Sequence, residues 1–208
     1  ILATLTAIVA GFIAGCMTGI LHTKGKINGL LAGILTMIAL YSVNLHIMGE
    51  ANLSLLRERT LLSSLKDQGY FGTWVSILIL AAVAVVVKIF LDWLLHTEIG
   101  LSLQATGDSP EMIKSFGVNT DRTKTLGLSV SNGLVGFCGA LIAQYQGFAD
   151  AGMGIGMIVV ALASVIVGQV LFGSRTIFIS TLAVILGSIV YRLVIALSLN
   201  VGFNPSDM

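Results

Sequence analysis

The chain has 208 residues, 56% of them hydrophobic and 10% charged, with a formal net charge of +1. Soluble domains carry about 25% charged residues, so this composition excludes a soluble globular protein and leaves an integral membrane protein. The net charge itself says nothing about nucleic acid, and no basic patch is dense enough to suggest such a partner, so none is expected.

Six long stretches carry no Asp, Glu, Lys or Arg: Ile1–Leu21, Ile27–Gly49, Gln68–Val87, Thr125–Ala149, Ala151–Ser174 and Thr176–Tyr191. A helix needs about 20 apolar residues to cross the hydrocarbon, so six spans are predicted. The runs are continuous rather than alternating, which argues against strands. The expected fold is all-α: a polytopic transmembrane helix bundle forming one domain over residues 1–208. Cys16 and Cys138 lie inside apolar runs without metal-type spacing and read as buried small hydrophobes.

The first span carries Gly11, Gly15 and Gly19 at four-residue spacing, a small-residue stripe that lets another helix approach closely. A tight basic turn, His22 to Lys26, leads to a second span from Ile27 to about Asn44, with Gly29 and Gly33. Asn44–Asp67 mixes Glu50, Arg57, Glu58, Arg59, Lys66 and Asp67 with leucines and reads as a partly amphipathic helix lying at the interface. The third span, Tyr70 to about His96, ends with Lys88 and Asp92 one turn apart. That spacing suits an intrahelical ion pair whose ends snorkel to nearby water.

Ile99–Lys124 is the long polar interruption in the second half of the chain. Ser109 suits an N-cap, Pro110 the first helical position and Glu111 the positive end of the helix dipole. Asp108 with Glu111 offers a second, capping-box register. Gly117 supplies the left-handed residue that ends a helix. A rigid polar peg of about seven residues, about 10 Å long, is therefore expected between two spans, and an ordinary solvated loop helix is the alternative reading. Asn119 or Thr120 caps the helix that follows.

The fourth span, Thr125–Gln144, holds Ser129, Ser131 and Asn132 on its early turns, then Gly133, Gly136 and Gly139. Gln144–Gly156 is too glycine-rich for a plain helix and predicts an irregular turn. A short fifth span runs from Met157 to about Leu171, and a sixth from Ile177 to about Leu199. Arg192 is the deepest charge of the last span and needs a partner, a route to water or a place on a solute pathway. His22, His46 and His96 sit near span ends, where snorkelling explains them. There is no P-loop, no zinc-protease motif and no grouped Ser, His and Asp, so no covalent chemistry is expected. With six spans, Lys24, Lys26, Lys114, Arg122, Lys124 and Arg175 fall on one side, against Arg57, Arg59 and Lys66 on the other. The positive-inside rule then puts the peg in the cytoplasm.

The stretch ATGDSPEMIKSFGVNTDRTKTLGLSVSNGLVGFCGALIAQYQGFADAGMGIGMIVVALASVIVG resembles the permease subunits of ABC importers of the branched-chain amino-acid and ribose type. Gly107, Pro110, Glu111, Gly117, Asn119, Asp121 and Arg122 match that family's GxxPExxxxxGI-N-x-DR segment. Glu111 with Gly117 also fits the looser E-A-A-x-x-x-G coupling pattern, with Met112 and Ile113 in place of the two alanines. The resemblance is dense from about residue 98 to 173, and HTKGKINGLLAGILTMIALYS extends it more weakly. The QYQGFADAGMGIGM wording is similar to a branch of amino-acid permeases associated with tryptophan or tyrosine.

The resemblance implies a transmembrane subunit of an ATP-driven importer in the bacterial cytoplasmic (inner) membrane, paired as a homodimer with a second permease chain. Cytoplasmic ATPase subunits would dock on the 97–124 coupling loop through Asp108, Ser109, Pro110, Glu111, Met112, Lys114 and Gly117. An extracytoplasmic solute-binding protein would deliver the solute. ATP would be bound by the partner, and no metal or cofactor is expected on this chain. Asn132, Gln144 and Arg192 are the pathway candidates. Ile1 begins inside an apolar run without the basic region of a signal peptide, and NVGFNPSDM is a polar turn that would lead onward, so the chain reads as part of a longer permease. A secondary transporter or channel is the alternative, although such proteins place ionisable groups or broken helices near the midplane. A membrane enzyme would need clustered polar groups at one face.

Overall fold

The computed structural model describes residues 2–55 and 73–201. Among them are eight helices: α1 (Leu2–Thr23), α2 (Gly29–Met48), α3 (Thr73–His96), α4 (Glu98–Asp108), α5 (Pro110–Ser115), α6 (Thr120–Gln146), α7 (Met153–Phe172) and α8 (Ile177–Val201). Two short strands, β1 (Asn52–Ser54) and β2 (Phe148–Asp150), complete the list. Six helices, all but α4 and α5, are long and apolar enough to cross a membrane, as the composition predicts. Leu2, Ile47 and Val170 are each more than 75% exposed; surfaces of this kind belong in lipid or against another chain, not in water.

The described residues gather into two compact units. One holds α1, α2, the first turns of α3, α4 to α6 and both strands; the other holds the rest of α3 with α7 and α8.

In the first unit the glycine stripe does what its spacing implies. A Cβ on Gly15 would lie 2.7 Å from Ser129 Cα, one on Gly19 would lie 2.7 Å from Thr125 Cα, and one on Gly11 would strike the Asn132 carbonyl. The partner positions fall as the α1 numbers rise, so α1 and α6 run antiparallel at backbone contact. Gly136 continues the seam against Ala7. Among the described residues, Gly33 and Gly139 meet nothing within 4 Å. Between α1 and α2 the buried Thr18 hydroxyl donates to Thr36 at 3.0 Å, and Thr36 donates to the Ala32 carbonyl at 2.9 Å. Such hydroxyl chains satisfy polar groups where no water reaches.

The expected interfacial helix over Asn44–Asp67 is corrected where the structure describes it. Helix α2 runs on to Met48 and stops at Gly49, whose φ of +72° places it in the left-handed region. Asn52–Ser54 is then a strand, paired antiparallel with Phe148–Asp150 in the register Asn52↔Asp150, Leu53↔Ala149 and Ser54↔Phe148. Bonds from Leu55 N–H to Gly147 O (2.8 Å) and Ala151 N–H to Ala51 O (3.0 Å) lengthen the ribbon by one step at each end. Arg57, Glu58, Arg59, Lys66 and Asp67 lie outside the described residues. The predicted turn over Gln144–Gly156 is shorter than expected, because α6 continues to Gln146, Gly147 ends it at φ +77°, and α7 begins at Met153.

The ribbon joins the C-terminal ends of α2 and α6, while the α1–α2 turn lies beside the start of α6. Each end of this unit therefore presents one membrane face, the pairing of ends on which the charge count rests. Cys138 is exposed and Cys16 half-buried, correcting the expectation that both are buried. Cys138 lies two positions, about 200°, past Gly136, on the face of α6 turned away from α1.

In the second unit α7 and α8 form a hairpin about Gly168 and Gly187. A Cβ on Gly187 would lie 2.6 Å from Gly168 Cα, and one on Gly168 would strike the Ala183 carbonyl.

Candidate functional site

The polar segment after α3 folds into a corner of three helices. Thr97 caps α4 by accepting from Gly100 N–H at 3.3 Å. Leu103 of α4 fills the space over Gly127 of α6, where a Cβ would come within 2.9 Å of its Cδ1. Helix α4 ends at Asp108, and the Ser109 N–H still bonds to Ala105 O. At Ser109 the chain turns out of the helix (φ −149°, ψ 91°) and Pro110 starts α5.

Two details of the predicted cap differ. Ser109 occupies the N-cap position, and its carbonyl accepts from Ile113 N–H at 3.3 Å, but its hydroxyl makes no capping bond. It serves as the C-cap of α4 at the same time, which fixes its backbone. Asp108 belongs to α4, so the Asp108–Glu111 register is not used.

Helix α5 spans six residues, about 9 Å, close to the expected peg. Its end is closed by a double bond pattern: Gly117 N–H to Lys114 O at 3.0 Å and Val118 N–H to Ile113 O at 3.3 Å. That Schellman arrangement needs a left-handed residue, and Gly117 supplies it at φ +84°. Asn119 then caps α6, accepting from Asp121 and Arg122 N–H groups at 3.2 Å each. The adjoining Thr120 is 2% exposed, so the peg is fixed to the buried start of a span.

The outer face of α5 presents Glu111, Met112, Lys114 and Ser115 to solvent, with Phe116 immediately after. Met112 is 51% and Phe116 75% exposed. An aromatic ring held bare at the tip of a polar helix is what an anchor for a partner's pocket looks like. Phe116 is not among the residues singled out from the sequence, although an aromatic next to a helix-ending glycine in a polar loop is a readable signal.

The pathway candidates are dispersed. Asn132, half-buried on α6, donates its amide to the Leu128 carbonyl at 2.9 Å and sits in the seam with Gly15. Gln144 is half-buried near the end of the same helix. Arg192 is exposed on α8 in the other unit.

A membrane-embedded polar cluster in the second unit lies close to the level of the Lys88–Asp92 spacing. Lys88 Nζ donates to Asp92 Oδ2 at 2.5 Å, Thr181 Oγ1 donates to Asp92 Oδ1 at 2.6 Å, and Lys88 Nζ stands 3.6 Å from the centre of the Phe178 ring. Lys88 is 9% exposed. The ion pair is as predicted, but the lysine does not snorkel to water; Asp92 and the Phe178 ring of α8 hold it, while the Thr181 hydroxyl ties Asp92 to α8. The cluster also puts the C-terminal end of α3 beside the start of α8, the end that carries Arg175. His22 and His96 are engaged too, donating from Nδ1 to the Ile27 and Asp92 carbonyls at 2.8 and 2.6 Å. Among the described residues no group of His, Cys, Asp and Glu is placed to hold a metal.

Six helices long and apolar enough to cross a membrane, with the polar helices α4 and α5 between the third and the fourth, have the build of a multi-pass membrane protein. The chain belongs to the family of branched-chain amino acid transport system permease components, whose profile matches residues 1–208, and it is thus a translocation subunit of the ABC importer type. It is 43% identical over 209 residues to a tyrosine transport system permease protein of Clostridioides difficile, covering 100% of this chain and 68% of that one. An uncharacterised protein of Rickettsia prowazekii is 35% identical over 210 residues, covering 99% of this chain and 73% of its own. An autoinducer 2 import system permease protein of Yersinia pseudotuberculosis is 28% identical over 174 residues, 80% of this chain and 46% of that one. No solved structure matches the chain.

Proposed function

We propose that this permease imports an amino acid through the bacterial inner membrane, driven by ATPase subunits that dock on α5 from the cytoplasm. A second copy of the chain completes the pathway, and an extracytoplasmic binding protein supplies the solute. An aromatic amino acid is the solute class we assign, from the likeness to the tyrosine permease. The observation that carries the reading is the construction of α5. A helix locked at Pro110 and Gly117 keeps its shape under load, and Met112 and Phe116, flanked by Glu111 and Lys114, give a partner both an apolar anchor and a charge pattern to read. A push on this helix passes to α4 and α6, which it joins directly.

The orientation decides whether a cytoplasmic ATPase can reach α5. In a background carrying Cys16→Ala and Cys138→Ala, Ser115→Cys is expected to react with an impermeant thiol reagent only in inside-out vesicles. Ser54→Cys, on the ribbon at the other end of the same unit, is expected to react in intact cells. Reversed labelling would place the ATPase on the wrong side and end this reading.

A further inference from the structure

Where the α1–α2 turn meets the first turn of α6, the structure holds an open polar cleft of about 450 Å³, lined by His22, Thr23, Lys26, Asn28, Asp121 and Lys124. It lies at the end of one span, α1, and the starts of two others, α2 and α6, so it belongs to the headgroup layer of one leaflet. Neither α5 nor the pathway candidates line it.

Three of its donors, Asn28, Lys26 and Lys124, are placed to act on an outside anion. Asn28 Oδ1 is occupied by Leu30 N–H at 3.0 Å, which leaves its NH₂ to donate elsewhere. Thr23 and His22 spend their protons on the Gly19 and Ile27 carbonyls at 2.8 Å each, so both rather frame the cleft. Lys26 and Lys124 make no ion pair among the described residues. Lys26 is held at φ +52°, an uncommon conformation for a side-chain-bearing residue. Two lysines against one Asp121 give the cleft an excess of positive charge, and Lys24 and Arg122 add to it nearby. One turn into the spans on either side, Leu30 and Leu126 are 77% and 46% exposed, an apolar margin of the kind that acyl chains cover.

We infer that the cleft binds the headgroup of an anionic phospholipid, with the phosphate between Lys26 and Lys124 and a headgroup hydroxyl donating to Asp121. Basic pockets between transmembrane helices recognise lipid phosphates in this manner, and a glycerol headgroup supplies both the charge and the hydroxyl. The apolar margin favours a lipid over free phosphate. On the orientation proposed above, this is the cytoplasmic leaflet.

The test is native mass spectrometry of the purified chain in detergent, titrated with phosphatidylglycerol, phosphatidylcholine or inorganic phosphate. Wild type is expected to retain phosphatidylglycerol at one molecule per chain, at least about tenfold more tightly than phosphatidylcholine. The double variant Lys26→Asn, Lys124→Gln is expected to lose that preference; Asn tolerates the left-handed backbone at 26, which protects the turn. Lys114→Gln and Arg175→Gln remove cations outside the cleft and should keep it. Lys124→Gln alone, which leaves the turn untouched, should lose part of it. Equal preference in wild type and both cleft variants would overturn the proposal. So would displacement of the lipid by millimolar phosphate, which would mark a free-phosphate site.

Discussion

Asp92→Leu is expected to destabilise the protein by about 3–5 kcal/mol, the usual cost of leaving one member of a buried ion pair without the other. Lys88 is 9% exposed, its ammonium is held by Asp92, and the face of Phe178 is its other neighbour. A ring face attracts the charge but accepts no strong hydrogen bond, so the variant strands a cation inside a membrane span. It also leaves the Thr181 hydroxyl without the carboxylate that ties α8 to α3. Lys88→Leu combined with Asp92→Leu removes both charges together and is expected to recover most of the loss. Thr181→Val is expected to cost only about 0.5–1.5 kcal/mol. Thermal unfolding in detergent measures all three. If the double variant unfolds as early as Asp92→Leu, the cluster matters for packing and not for charge.

The other large effect is on coupling. Gly117→Val is expected to abolish solute-stimulated ATP hydrolysis while leaving the spans folded. A Cβ at 117 would meet nothing within 4 Å, so the penalty is not steric crowding by neighbours. It comes from φ +84°, which a β-branched residue adopts only with strain of about 1–3 kcal/mol. Loss of the left-handed residue would release both bonds that close α5 and let the peg fray. Gly117→Asn, which tolerates that backbone, should keep coupling and thereby separate shape from the mere presence of a side chain. Phe116→Asp leaves the backbone alone and removes the exposed anchor; it is expected to release the ATPase on purification. Both losses are read with the variant reconstituted beside its ATPase, with and without loaded binding protein. Wild-type stimulation in Gly117→Val and Phe116→Asp alike would make α5 a solvated loop helix.

The parts of this protein that the sequence makes legible are those that depend on short-range spacing. Gly11, Gly15 and Gly19 recur every fourth residue, and a helix turns that period into a stripe whatever it faces. Pro110 and Gly117 punctuate α5 because one fixes φ and the other permits a positive φ. Lys88 and Asp92 lie one turn apart and pair as that spacing requires. What the sequence does not reveal needs a partner far along the chain. Thr181 stands 89 residues from Asp92, and nothing in either stretch announces the other. The three-residue strands β1 and β2 are too short to show alternation. Helix α4 hides because Gly100 and Gly107 lower its helical propensity, while its packing over Gly127 restores it. At Ser109 the residue type predicts a side-chain cap; its backbone fills the N-cap position, but it also ends α4, and its hydroxyl makes no capping bond.

In the proposed importer, α5 receives force from an ATPase and the spans convert it into solute movement. The most direct measurement is uptake of labelled tyrosine into proteoliposomes holding the permease, its ATPase and loaded binding protein. Uptake is expected to require ATP, to persist when ionophores collapse every ion gradient, and to stop with Gly117→Val. Uptake that proceeds without ATP and fails when the gradients collapse would contradict the account and make the chain a secondary transporter.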